Sequence, residues 1–303
     1  MVCAICTDAV LDQVSRGAIR EFEKAGYVRG KNVEFILRGR PAIHTSSEVP
    51  SDAELAALYA DVVALRPKLI MPLDVYTSAA ANKVHEIPIV LGLSNVDAVR
   101  LDLVHAMSRP GTNITGFTRS PENLDVKRLE FLHAIAPRAK RIGILTQEGL
   151  PGLEAQRTEV RAAGAGMGLE MIDFTAAKSK SVGGDTEALF QRMSQAKVDA
   201  FILLDGNDWS KQLVELAARH RLPTVYPYTG PIKGGLAGYR EVGAKTERVV
   251  AYAVEIMKGK PPGDLPVQRG GQFVLVLNTK TARALGIEFP SALKLAATNI
   301  VED

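Results

Sequence analysis

One pattern of spacing and element order occurs twice in this chain. Ala57-Leu58-Tyr59 stands 16 residues, counted from Leu58, before Asp74, which closes the apolar run Leu69-Ile-Met-Pro-Leu73. Ala188-Leu189-Phe190 stands 16 residues, counted from Leu189, before Asp205, which closes Phe201-Ile-Leu-Leu204. Each Asp is followed by a polar or aromatic loop, a helical pattern and a Pro-containing apolar run, Ile87-Pro-Ile-Val90 or Leu222-Pro-Thr-Val225. Equal spacing combined with a matched order of elements points to a duplicated unit. Continuous apolar strands separated by helices form parallel sheets covered on both faces. The expected fold class is α/β, with two doubly wound parallel-sheet lobes.

Along the first half, strands are expected at Val2–Ile5, Asn32–Leu37, Lys68–Leu73 and Ile87–Leu91. Helices are expected over Asp12–Ala25, ending at the C-cap candidate Gly26, after the capping-box pattern Ser51-Asp-Ala-Glu54, and over Thr77–Val84. Val96–Ser108 reads as a short helix or turn. The second half predicts helices at Lys127–Ile135, Leu153–Ala163, Asp185–Gln195 and Ser210–His220. Strands are predicted at Arg141–Leu145, Leu169–Phe174, Asp199–Leu204 and Pro223–Tyr226. Beyond these come a flexible strand-like crossing at Gly234–Gly238, a long helix at Ala244–Lys258, a strand at Phe273–Leu277, a helix at Thr279–Leu285 and a thin tail from Pro290.

The 303 residues suit two lobes of ~100–150 residues each. The Pro/Gly-containing run Arg109-Pro-Gly-Thr-Asn-Ile-Thr-Gly-Phe117 lies between the two halves and reads as a strap. With returns near Gly234 and Pro261 it gives three crossovers, and Gly111 and Gly116 are expected to give the strap freedom for hinge bending. The expected lobes are 1–115 plus 234–262 and 116–233 plus 263–303.

Lys and Arg number 37 against 34 Asp and Glu, too slight and dispersed an excess for a nucleic-acid partner. No apolar stretch reaches the length of a membrane span, and the N-terminus carries no signal-peptide pattern. The chain enters a strand-like run at once, Met1-Val-Cys-Ala-Ile-Cys6, which suggests a leader trimmed upstream. Alternation along that strand puts Cys3 and Cys6 on opposite faces, predicting buried free thiols rather than a redox pair. Gly164-Ala-Gly-Met-Gly168 follows a helix and precedes a strand, the reverse of a dinucleotide loop. The five histidines have no metal-ligand spacing, and no hydrolase, phosphate-loop or zinc-protease motif is present. No catalytic residue, metal or cofactor is expected.

In open parallel sheets, ligands sit beyond the carboxyl ends of the strands, among free helix N-termini. The candidate ligand-binding residues are those at strand ends: Thr7, Asp8, Asp74, Tyr76, Thr77, Ser78, Ser94 and Asp97 in the first half, and Thr118, Glu148, Asp205, Asn207, Trp209 and Tyr228 in the second. Asp74 and Asp97 read equally as N-caps, and the two roles can coexist. Asp205 and Asn207 also read as a solvated turn, and Trp209 as core packing. The tyrosines can be ordinary core residues or an aromatic clamp on a flat ligand. The loops hold several acids against one obvious base, Arg119, and buried carboxylates demand partners. That balance favours an ammonium-bearing or hydroxyl-rich ligand, with any carboxylate on it held by helix-end N–H groups around Tyr76–Ser78.

Several runs carry a family resemblance. Arg109-Pro-Gly-Thr-Asn-Ile-Thr-Gly116, Lys127-Arg-Leu-Glu130 before Pro137, Leu216-Ala-Ala-Arg-His-Arg-Leu-Pro223, Gly234-Gly-Leu with Gly238-Tyr239, and Asp264-Leu-Pro-Val267 with Leu277-Asn-Thr-Lys-Thr-Ala-Arg-Ala-Leu-Gly286 occur in the right order over nearly the whole chain. Together they resemble the substrate-binding proteins of ABC transporters, in the family with tryptophan- and tyrosine-type binding components. The resemblance implies a type I periplasmic-binding-protein fold that encloses a small solute by lobe closure and performs no chemistry on it. It also implies a membrane permease as partner, a monomer, and a periplasmic or membrane-anchored extracellular location. A ligand-sensing domain of the same fold is the alternative, and an α/β enzyme a more distant one. Three loops depart from the family pattern: Asp97-Ala-Val99 in place of Asp-Pro-Val, Asp74-Val-Tyr-Thr77 in place of Thr-Pro-Ala-Ala, and Thr146-Gln-Glu148 in place of Trp-Asn-Pro. The resemblance therefore does not transfer a ligand.

Overall fold

Helix and strand alternate through the computed structural model, which describes residues 1–3, 6, 8–39, 50–93, 96–118, 124–148, 152–176, 182–204, 211–227 and 230–302. Among the described residues the helices are α1 (Asp8–Lys24), α2 (Asp52–Ala64), α3 (Val75–Ala79), α4 (Leu124–Ile135), α5 (Leu153–Gly166), α6 (Val182–Gln195), α7 (Lys211–Arg219), α8 (Thr246–Met257), α9 (Thr279–Leu285) and α10 (Ser291–Ala296). The strands are β1 (Ile89–Leu91), β2 (Ile114–Thr118), β3 (Arg141–Gln147), β4 (Glu170–Ala176), β5 (Ala200–Leu203), β6 (Val225–Tyr226), β7 (Ala237–Val242), β8 (Gln268–Arg269), β9 (Gln272–Asn278) and β10 (Asn299–Val301). The chain divides into Met1–Pro121 with Val242–Gln272 and Glu122–Glu241 with Phe273–Asp303, so it passes between units three times. The passages fall at 121, 241 and 272, whereas the sequence-based boundaries stand at 115, 233 and 262.

In the first unit β1, β2 and β8 pair in parallel. Single parallel bridges extend this sheet from Ile89 to Ile70, from Pro72 to Val2, and from Val2 to Arg38. Three of the expected strands thus contribute bridges instead of full ladders. Pro72 removes a donor from one of them. In another, Cys3 and Cys6 are joined in a disulfide with Cα atoms 5.4 Å apart. Three steps of extended strand would separate them by ~10 Å. The expectation of free thiols on opposite faces therefore fails, since alternation holds only while the backbone stays extended.

Helix α1 packs on α8 over the core formed by Ala18, Phe22, Met71, Val90, Phe117, Val249, Val250 and Ala253. Ser51 caps α2 as its sequence predicts. Its hydroxyl accepts from Glu54 N (3.3 Å), while Ser51 N donates to the Glu54 carboxylate (2.7 Å). In the second unit, β4-β3-β5 and β10-β9-β7-β6 are linked by a hydrogen bond from Phe201 N to Pro223 O (3.1 Å). Its core is aromatic, with Phe190 and Phe201 edge-to-face at 5.6 Å. The expected thin tail instead forms α10 and β10, and β10 pairs in parallel with β9. Buried Arg128 on α4 pairs with Asp125 and donates to Tyr239 O on β7 (2.9 Å).

Gly116, expected to loosen the strap, has a local reason to be glycine. It lies inside β2, opposite Leu91 of β1, with φ +117, and a Cβ there would fall 2.2 Å from Leu91 O. Glycine is required by positive φ and by close backbone approach, both internal to the first unit. Gly116→Val is expected to lower the stability of that unit by at least about 2 kcal/mol, read as a lower urea midpoint. An unchanged midpoint would contradict the close-approach assignment. Reducing the Cys3–Cys6 bridge, which closes a very short loop, is expected to cost about 2 kcal/mol on a chain-entropy account, measured by thermal melts with and without reductant.

Candidate functional site

The run Leu69–Leu73 ends at Asp74, and α3 starts directly after it. Asp74 has the extended backbone of an N-cap, and its Oδ1 accepts from Tyr76 N (2.8 Å) and Thr77 N (3.0 Å). Its Oδ2 accepts from the Thr77 hydroxyl at 2.8 Å. The group is a carboxylate acting only as acceptor in these bonds, 5% exposed and stabilised by donors from the helix it begins. Asp74 O accepts Ser78 N at 3.0 Å. Thr77 and Ser78 are fully buried.

Two tyrosines surround this cap. Tyr59 on α2 lies on the buried face with Leu55 and Val62 and donates its hydroxyl to Thr77 O at 2.6 Å. Tyr76 is 7% exposed, and its hydroxyl makes no hydrogen bond to a described residue. Burial, and after it the nearby Asp74 charge, raises both phenols above their usual range, Tyr76 to about 12 and Tyr59 further still. Both are neutral hydroxyls at physiological pH.

The other strand-end candidates divide by role. Asp97 accepts Arg100 N (2.9 Å) and stands 3.8 Å from Arg100 Nε, which makes it the cap of a turn. The Thr118 hydroxyl is buried, accepting Ala98 N at 2.8 Å and donating to Val96 O at 3.2 Å. It pins the loop after β1 to the end of β2. Asp8 opens α1, and Glu148 is exposed just beyond β3, with its N–H bonded to Ala176 O. Thr7, Ser94, Asp205, Asn207, Trp209 and Tyr228, like Arg119, lie outside the described residues. In the first unit, then, the structure brings together Asp74, Tyr76, Thr77 and Ser78, and joins Thr118 to the loop carrying Asp97.

The expectation that amides around Tyr76–Ser78 await a ligand carboxylate is overturned, because Asp74 already occupies those of Tyr76 and Thr77. Two residues escaped the sequence-based set. Tyr59 is one; its signal was a polar-tipped ring on an apolar helix face, which needs a buried partner. Arg157 on α5 is the other, donating to the Thr146 and Thr175 hydroxyls (3.2 and 3.4 Å) near the carboxyl ends of β3 and β4. Nothing in the spacing of α5 singles it out.

The two phenols fix a sign for alkaline stability. An unfolded chain releases both protons near about pH 10, while the folded chain retains them, Tyr76 to about 12. Stability is complete below the unfolded value and is lost as pH rises through the folded ones. Urea unfolding free energy is therefore expected to fall above about pH 10 by about 1.4 kcal/mol per pH unit for each phenol. Tyr76→Phe should remove one such contribution, and an unchanged slope in that variant would count against the burial of this ring.

Comparison with known proteins agrees with this architecture. The chain is 24% identical over 297 residues to a tyrosine-binding protein of Clostridioides difficile (strain R20291), covering 96% of this chain and 80% of that one. Among solved structures, a conserved domain protein of Vibrio cholerae superposes with TM-score 0.77 at 23% identity, over 99% of this chain and 98% of that one. An ABC domain from Streptococcus pneumonia in complex with L-Trp gives TM-score 0.76 at 21% identity, over 99% of each chain. Both likenesses establish the type I periplasmic-binding-protein fold. The family model described as ABC transporter substrate binding protein matches residues 1–301, and the chain belongs to that family.

Proposed function

We propose that this chain captures a small amine-bearing, amino-acid-like solute, aromatic in part, and delivers it to an ABC permease. The observation that carries this reading is the strand-end cluster of the first unit, where a buried carboxylate, Asp74, lies beside the aromatic Tyr76. A carboxylate beside an aromatic ring matches a cation carried on a flat apolar frame. The relatives support the same class, since one is a tyrosine-binding protein and another was crystallised with L-Trp. The loop Asp74-Val-Tyr-Thr77 differs from the family pattern at all four positions, Asp74 included, so the particular solute is this chain's own.

A location outside the cytoplasm, with the protein working as a monomer, accords with family membership and with the Cys3–Cys6 disulfide, a bond that persists in oxidising compartments. No described helix is long and apolar enough to cross a membrane. The test is isothermal titration against amino acids, aromatic amines, simple sugars and purines, with native mass spectrometry of the freshly purified protein for a retained solute. Saturable binding of an ammonium-bearing aromatic solute is expected. Binding confined to neutral sugars, or to dicarboxylates lacking an amine, would overturn the proposal.

A further inference from the structure

We infer that the first unit holds a further small-molecule site, at the end of its sheet away from Asp74, suited to an apolar molecule that carries a single acid group. A cavity of about 490 Å³ lies there, lined wholly by residues of the first unit. Its walls come from the beginnings of two extended runs, Val33–Ile36 and Leu69–Met71, and from the last turns of α1, α2 and α8 at Phe22, Val62 and Met257. Helices that cover a parallel sheet end where the next strand begins, so this is the amino edge of the sheet. Lys68 on the lining and Asp74 stand at opposite ends of one run, separated by ~20 Å of extended chain. The cavity is therefore distinct from the strand-end cluster, and the inference stands whether or not that cluster takes the proposed solute.

The volume falls within the span of small-molecule pockets, ~300–1,000 Å³. The lining suits an apolar frame. Phe22 stands 6.3 Å from Tyr27 and 5.4 Å from Phe35, ring centre to ring centre, and all three line the cavity. Met71 and Met257 add thioethers, which adapt their shape and pack well against rings. Leu65, also on the lining, is 44% exposed, so the apolar surface continues outward to solvent. Charge then selects the head group. Arg66 and Lys68 belong to the same lining, both exposed and neither in an ion pair with a described residue. The Arg29 guanidinium adds a third cation, 5.6 Å from the centre of the Phe35 ring. Glu34 is the one acid among the lining residues. A carboxylate on an apolar frame can bury the frame and keep its charge among these cations in partly solvated surroundings. An ammonium on the same frame would meet like charges.

The test titrates 2-naphthoate and 2-naphthylmethylammonium, one ring system with opposite charges, into protein carrying 13C at its methionine methyl groups. Naphthoate is expected to shift the Met71 and Met257 methyl signals saturably and to bind at least about fivefold more tightly than the ammonium. The double variant Arg66→Gln/Lys68→Gln changes two exposed side chains and is expected to abolish that preference. Lys140→Gln, an exposed control in the second unit, is expected to leave it unchanged. No saturable shift at Met71 and Met257, equal or tighter binding of the ammonium, or a preference that persists in the double variant would overturn the inference.

Discussion

A carboxylate buried at the end of a parallel strand must find donors, and Asp74 takes them from the first turn of the helix it begins. Much of the first unit's strand-end edge hangs on that cap. The Thr77 hydroxyl also lies 3.5 Å from Val2 O, and Val2 O accepts Leu73 N. The Thr77 carbonyl holds the Tyr59 hydroxyl and so ties α2 to α3. The cap, the N-terminal strand and the α2–α3 packing are consequently one hydrogen-bonded unit, and losing the Asp74 acceptor would leave several buried donors unmatched.

A second constraint is backbone approach. β1 and β2 pair so closely at Leu91 and Gly116 that no Cβ fits. On the far side of β2, Phe117 packs under Arg248 and beside Tyr252 of α8. The glycine lets the strands meet, and the aromatic residue beside it anchors the helix that covers them. A Gly-rich run can signal either freedom or crowding. Only its position within the sheet, opposite Leu91, decides for crowding here.

What could be read beforehand follows from which forces are local. The Ser51–Glu54 capping box, the α/β alternation and the helical faces of α1 and α8 depend on neighbours along the chain and were legible. The bridges at Val2, Ile70 and Pro72 stand beside a cross-link from Cys3 to Cys6 and a proline inside a run, neither of which a period shows, so periodicity overstated them as strands. β10 pairs with β9 across two intervening helices, and its three residues Asn299–Val301 are too few to show a period. At the site, the cap and ligand readings of Asp74 were equal in the sequence. The Thr77 hydroxyl and the two amides establish the cap, through geometry that no spacing encodes.

The acids at the strand ends suggest a cationic ligand by count, but counting treats each carboxylate as an unmet demand. Asp97 is answered by Arg100 N and the Arg100 guanidinium, and Asp74 by two amides and a hydroxyl. Neither needs a ligand in order to be buried. Hydrogen bonds from neutral donors nonetheless satisfy lone pairs without cancelling charge. Asp97 has a cation beside it, and the Asp74 field reaches both phenols. The case for an ammonium therefore rests less on the number of acids than on the field of one of them, Asp74, at the two buried phenols.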